Sequence, residues 1–252
     1  MKSVIQVTKL KKSFGTQQVL RGVDLSVNET ESLVILGRSG GGKSVLLRHI
    51  MGLVRPDSGS VKIFEKEITN LSERHQLPVR KDVGFLFQNA ALFDSMTVQD
   101  NVAFPLREDR LMNEKDILKR VQESLEWVDL KGHGHKMPSQ LSGGMRKRVG
   151  LARALVTKPK IMLYDEPTTG LDPIVSDSIN NLILQVNREF KITTVVVTHD
   201  MVSAYKIAQR IVLLHHGQIY VSATPEDIRQ SNDPVIYDFV NGISKHMPTI
   251  EL

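Results

Sequence analysis

Residues 37–44 read GRSGGGKS and fit the pattern G-x-x-x-x-G-K-[ST]. Glycines let a backbone approach a ligand closely. The N–H groups of Gly37, Arg38, Ser39, Gly40, Gly41, Gly42, Lys43 and Ser44 would then wrap phosphate oxygens. Lys43 is placed to reach the β- and γ-phosphates, and the Ser44 hydroxyl to ligate Mg²⁺. At average composition the pattern arises in about 1% of chains this long. Here it also falls between an apolar run, SLVIL, and a helical pattern, which is its confirming context. Such a loop needs an acidic partner for the metal at the end of a buried strand. IMLYDEP (161–167) supplies Asp165 for Mg²⁺, and the next residue, Glu166, is suited to orient an attacking water. Gln88 closes VGFLFQ (83–88) and His199 closes TTVVVTH (193–199). In a parallel sheet the strand C-termini line the ligand crevice. Gln88 is therefore expected on Mg²⁺ and water, and His199 on phosphate. Phe14, in KSFG, offers a ring on which adenine can stack; its spacing fits a core aromatic equally well.

A second glycine-rich stretch, LSGGMRKRVGLARAL, begins at Leu141. Ser142, Gly143 and Gly144 lead into a basic amphipathic helix. Val149, Ala152 and Val156 recur at helical spacing beside Leu151 and Leu155, while Arg146, Lys147, Arg148 and Arg153 supply charge. A helix start favours anions through its unsatisfied N–H groups and its dipole. One chain thus carries two candidate anion sites.

The elements that must position these residues follow from hydrophobic periodicity. The opening alternates through Val4, Ile5, Val7 and Leu10 and then through VLRGVDLSV (19–27), which predicts an antiparallel meander. SLVILG (32–37) predicts a buried strand, followed by a helix over 43–52. SVKIF (60–64) and VGFLFQ predict strands. NEKDILKRVQESLEWV (113–128) puts Ile117, Val121, Leu125 and Val128 on one helical face, with Asn113 as its cap. Together with the helix after Ser142 this makes a helical block over 95–156. Strands at 160–166 and 193–199 then alternate with helices opened by Asp172-Pro173 and by Asp200. A hairpin around Gly217 and short helices after Thr224 and within 233–242 complete the chain. The fold class is α/β: a P-loop core with a mostly parallel sheet, an N-terminal antiparallel β subdomain and an inserted helical subdomain. The expected domain covers 1–242, with 1–94 and 157–242 forming the core, 95–156 the helical insertion and 243–252 a C-terminal tail.

Composition sets outer bounds. The 252 residues carry a net charge of +5 and 40% hydrophobic residues, an ordinary balance for a globular chain. There is no cysteine, which excludes disulfides and thiolate metal sites. Aromatics at 5% argue against a stacking platform for single-stranded nucleic acid, and no nucleic-acid partner is expected. The N-terminus lacks the apolar stretch of a signal peptide, and no apolar run is long enough to span a bilayer. Work at a membrane would require another chain to cross it.

The motif set resembles the ATP-binding cassette (ABC) ATPases over nearly the whole chain. LSGG (141–144) resembles the family signature, TGLDP (169–173) the D-loop, Gln88 the Q-loop glutamine and His199 the switch histidine. The resemblance implies hydrolysis of ATP with Mg²⁺. It also implies a head-to-tail homodimer in which each signature closes over the γ-phosphate held by the partner's P-loop, which would account for two anion sites in one chain. Where the family has glutamine after LSGG, this chain has Met145, whose thioether donates no hydrogen bond. Contacts in trans would then come from Ser142 and the Gly144 backbone.

Three kinds of load fit such an ATPase. DNA-repair members carry a long coiled coil between the motifs, and no sustained heptads occur between Gln88 and Leu141. Translation-type members carry two cassettes, and this sequence has one P-loop. The transporter motor remains. Met145, the stretch FQNAALFDSMTVQDNVAFPLRE (87–108) and the tail NDPVIYDFVNG (232–242) resemble the Mla-type lipid-transport branch. That likeness implies phospholipid transport with an integral-membrane permease, an MCE-type lipid-binding protein and, in some relatives, a STAS-domain protein. It places the chain peripherally on the cytoplasmic face of a bacterial inner membrane. The alternative is a small-solute importer, such as one for amino acids, whose ATPases share the core motifs. Ala90, Ala91, Leu92, Phe93, Met96 and Val98 lie where the resemblance implies that a permease helix docks, and packing within the helical block accounts for any one of them equally well.

Overall fold

The computed structural model describes residues 2–243. Of the predicted tail, 243–252, all but Ile243 lies outside the described residues. The chain divides into two compact units. One contains the residues up to Asn70 together with those from Val197 onward, and the other is Leu71–Val196.

The first unit opens with β1 (Ser3–Phe14) and β2 (Gln17–Asn28), an antiparallel pair whose inward faces bury Ile5, Val7 and Leu10 against Leu20, Val23, Leu25 and Val27. β3 (Ser32–Leu36) is buried at every position. This is the signature of a strand covered on both faces, and it explains an apolar run without alternation. After β3 come the glycine loop and α1 (Lys43–Ile50). β4 (Ser58–Ile63) and β5 (Lys66–Glu67) extend the antiparallel sheet, in the order β2-β1-β4-β5.

The second unit begins with α2 (Glu73–Arg80) and β6 (Val83–Leu86). The sequence gives no apolar stripe for α2. The helix buries only Gln76 and Val79 and contains Pro78, so periodicity misses it. α3 (Val98–Asp109), α4 (Glu114–Trp127), a 3₁₀ turn at Pro138–Gln140 and α5 (Gly143–Leu155) follow. Asn113 caps α4 as its position predicts, its side chain accepting from the Asp116 N–H. The three α-helices pack on one another through Val102, Leu106, Ile117, Val121, Leu125, Val149 and Ala152. A fully buried Val or Leu contributes about 1.5–3 kcal/mol. β7 (Ile161–Asp165), buried throughout, pairs in parallel with β6, and α6 (Pro173–Phe190) starts from the predicted Asp172 cap.

β8 (Thr193–Thr198) spans the point where the units divide. In the second unit the strand order is β8-β7-β6. The first unit then adds α7 (Met201–Ile207), β9 (Arg210–His215), β10 (Gln218–Ala223), α8 (Pro225–Arg229) and α9 (Pro234–Asn241). There the order is β10-β9-β3, with β3 and β9 parallel and β9 and β10 the predicted hairpin. Among the described residues no helix is long and apolar enough to cross a membrane.

Candidate nucleotide site

In the first unit the loop after β3 is shaped by its glycines. Gly40 and Gly42 are left-handed, with φ of 74° and 96°, a conformation costly for other residues. A Cβ on Gly37 would stand 2.6 Å from the Leu214 carbonyl oxygen, so β9 runs against the bare backbone there. Gly42 is the N-cap of α1 and offers no side-chain cap, leaving the first-turn N–H groups to other acceptors. The Lys43 ammonium folds over the loop and donates to the carbonyls of Gly37 at 2.8 Å and Arg38 at 3.0 Å. An ammonium beside an uncapped helix start suits phosphate, and Ser44 follows it in the first turn of α1. The predicted phosphate residues, Gly37 through Ser44, therefore converge on one loop.

Two more predicted residues belong to this unit. Phe14 ends β1, is 50% exposed and has the Lys12 ammonium 5.4 Å from its ring centroid. It is thus a surface aromatic, which removes the core alternative and leaves a face able to stack. His199 lies one residue beyond β8 and is exposed.

In the second unit Asp165 ends β7, and both it and Glu166 are buried. Glu166 is left-handed, at φ 48°, which is strained for a side-chain-bearing residue. Its carboxylate accepts from the Thr169 hydroxyl at 3.0 Å. β6 stops at Leu86, so Gln88 sits in the loop beyond the strand with its side chain exposed. Ala90 and Ala91 of that loop are also left-handed, at 58° and 48°.

The six apolar residues of the docking stretch differ in burial. Ala90 and Val98 are buried and belong to the unit's own packing. Phe93 and Ala91 are exposed, and Leu92 and Met96 are half-buried. Phe93 stacks on Phe104 at 4.8 Å and holds the Arg153 guanidinium 6.0 Å from its ring centroid.

Ser142 is the N-cap of α5, its hydroxyl accepting from the Met145 N–H at 3.3 Å. Gly144 is buried, and a Cβ there would lie 2.5 Å from Val175 of α6. A Cβ on Gly143 would lie 3.3 Å from Leu171. Gly143 and Gly144 therefore let α5 start flush against Leu171 and α6.

The basic residues of α5 do not form a solvated face. Arg146 donates to the Leu141 carbonyl, and Arg148 to the Val128 carbonyl, Asp129 and Ser178. Arg153 donates to the carbonyls of Ala90 and Ala91 at 2.7 and 2.8 Å. Lys147 is buried and donates to the carbonyls of Gln88 and Glu166. Burial pulls its ammonium below the usual lysine range, and the charges of Asp165 and Glu166 oppose that shift. Lys147 is the residue that charge counting misses. The available signal was its place three residues after Gly144 and four before Leu151, on the buried stripe.

Such a protein is a P-loop nucleotide-binding protein with a second, self-capped helix start. The family model for ABC transporter ATP-binding domains matches residues 20–169, so this chain belongs to the ABC transporter family. It is 41% identical over 238 residues to a Mycobacterium leprae protein named "Probable ribonucleotide transport ATP-binding protein mkl", covering 94% of this chain and 69% of that one. It is also 41% identical to the methionine import ATP-binding protein MetN of Campylobacter jejuni, over 89% of this chain and 72% of that one. Among solved structures, a dimeric ATP-binding cassette in a post-hydrolysis state, bound to ADP and Pi, matches with a TM-score of 0.81 and 33% identity, covering 88% of this chain and 98% of that one. The fold is that of the ABC ATPases, and the chain is an ATP-binding, ATP-hydrolysing transporter subunit that works with Mg²⁺.

Proposed function

We propose that this chain is the motor of an ABC transporter that drives phospholipid transport between inner and outer membranes. In this reading two copies associate head to tail and sit peripherally on the cytoplasmic face of the inner membrane. There they act on a permease with an MCE-type lipid-binding protein and, where present, a STAS-domain protein. The observation that carries the motor assignment is the pairing of a complete phosphate loop with an acidic strand end, Asp165-Glu166. The lipid load rests on the likeness of Met145, of 87–108 and of 232–242 to the Mla-type branch. The equal identity to a protein named for methionine import supports a small-solute importer as the second reading.

The residues divide the chemistry as follows. The N–H groups of Gly37–Ser44 and the Lys43 ammonium bind the phosphates, and Phe14 stacks on adenine. Ser44, Asp165 and Gln88 would hold Mg²⁺, which when bound neutralises charge on the β- and γ-phosphates. A half-buried serine hydroxyl in the first turn of α1 and a buried carboxylate are oxygen donors of the kind that ion prefers. Glu166 orients and polarises the attacking water, with His199 on the γ-phosphate. Ser142 and the backbones of Gly143 and Gly144 close on the nucleotide of the second copy.

Glu166→Gln keeps size and hydrogen bonding but removes the carboxylate. ATP affinity should stay as in the wild type, while turnover falls about 10²–10³-fold, the usual worth of a positioned base. The variant should accumulate as an ATP-dependent dimer on a sizing column. Normal hydrolysis would remove Glu166 from its role. The load is tested separately by purifying the tagged chain from its native membrane. Co-purification of an MCE protein is expected, and a solute-binding protein in its place would favour the importer.

A further inference from the structure

The buried ammonium of Lys147 lies on α5, five residues past the N-cap that starts the helix at Ser142. It donates to two backbone carbonyls that belong to different loops: that of Gln88, beyond β6, and that of Glu166, beyond β7, at 3.1 Å for the latter. Both loops are irregular where they are gripped. Glu166 is left-handed, and so are Ala90 and Ala91, whose carbonyls are taken by Arg153 further along the same helix. Left-handed residues with side chains persist only where surrounding contacts hold them.

Packing alone gives no reason for a lysine here. An ammonium removed from water costs several kcal/mol, and apolar replacements at such places are often neutral or stabilising. The cation is spent on the carbonyls of the two residues expected at the γ-phosphate and the attacking water.

We propose that Lys147 is a positioning residue for hydrolysis: its ammonium ties the loops of Gln88 and Glu166 to the helix that starts at Ser142. The inference rests on the reading of Glu166 as the water-orienting carboxylate. It adds a direct link, within one chain, between the helix whose start faces one nucleotide and the groups that serve the other.

The test uses Lys147→Met, which keeps an aliphatic chain and removes the donors, and Lys147→Arg, which restores charge and donors. The purified full chain is assayed for turnover and for ATP affinity. Its nucleotide-free form is followed by amide hydrogen exchange. Lys147→Met should lower kcat about 10- to 100-fold, as a misplacement of about 1 Å does, with KM changed less than about 3-fold. The Ala90 amide, bonded to the Phe87 carbonyl, and the Thr169 amide, bonded to the Glu166 carbonyl, should exchange faster, while amides of α1 should not. Lys147→Arg should recover most of the turnover. Wild-type kcat and exchange in Lys147→Met would overturn the proposal. So would a uniform loss of stability and ATP affinity that Lys147→Arg does not repair, since that marks a role in packing only. Glu166→Gln run in parallel separates the two levels. If it turns over normally, the site reading fails. If it stalls while Lys147→Met behaves as wild type, only the present inference fails.

Discussion

The two glycine-rich helix starts of this chain share a composition and differ in construction. At 37–44 the glycines are left-handed at positions 40 and 42, the helix has no side-chain cap, and a lysine ammonium is folded into the loop. At 142–144 the N-cap residue is extended, with φ −65° and ψ 165°, and its own hydroxyl satisfies a first-turn N–H. The glycines there serve close packing: Gly144 has no room for a Cβ beside Val175. The first start has the left-handed glycines, the uncapped helix and the folded-in lysine that the proposed phosphate cradle needs. The second already satisfies part of its donor capacity and carries its cations elsewhere, with Arg146, Arg148 and Lys147 turned onto backbone carbonyls. A helix start of that kind contributes little to binding a free nucleotide and is suited to completing a site that is otherwise occupied.

The largest effect should come from breaking the first start. Lys43→Ala removes a charged donor from the phosphates. A charge-assisted hydrogen bond is worth about 1.5–3 kcal/mol, so ATP affinity of the purified chain should fall ~10- to 100-fold and turnover with it. Titration with a fluorescent ATP analogue measures this. Binding at wild-type strength would show that the cradle does not hold the phosphates and would erase the contrast between the two starts.

This difference bears on what the sequence could reveal. The cradle was legible because its physics is local: glycine spacing, one lysine and one serine within eight residues between a strand and a helix. The buried strands β3, β7 and β8 and the caps at Asn113, Asp172 and Asp200 were legible for the same reason. What escaped depends on contacts far apart in the chain. Lys147 reaches Gln88, 59 residues away, and Arg153 reaches Ala90, 63 residues away. A charge on an amphipathic helix reads as solvated unless its partner is known. In the docking stretch the sequence leaves packing and docking equally open, and only the tertiary fold shows that Ala90 and Val98 are buried in their own unit. α2 was missed because it buries almost nothing.

A smaller effect should follow from blocking the second start. Ser142→Arg removes the cap, at a cost of about 1 kcal/mol, which for a chain of this size lowers Tm by about 2–4 °C. ATP affinity of the isolated chain should change by less than about 2-fold. Turnover in the assembled transporter should still fall about 10-fold or more, because a bulky cation stands where the second copy's nucleotide must close. A loss of affinity in the isolated chain equal to that of Lys43→Ala would mean that both starts serve one nucleotide in one chain.

The smallest effect sharpens the comparison most. Met145 stands where the family carries glutamine, and its side chain is half-buried at the first turn of α5. Its backbone N–H, not its thioether, closes the Ser142 cap, so the cap survives any substitution that keeps the helix. Met145→Gln swaps side chains of similar length and adds one amide donor, and partly exposed changes of this sort shift stability by about 0.5 kcal/mol or less. If closure depends on Ser142 and the glycine backbone, turnover should stay within about 3-fold of wild type and ATP affinity should not change. A 10-fold fall would assign the thioether a contact of its own. A 10-fold rise would show that this start lacks a donor that its partner nucleotide can use, and that its capacity, unlike that of the cradle, is set by one side chain.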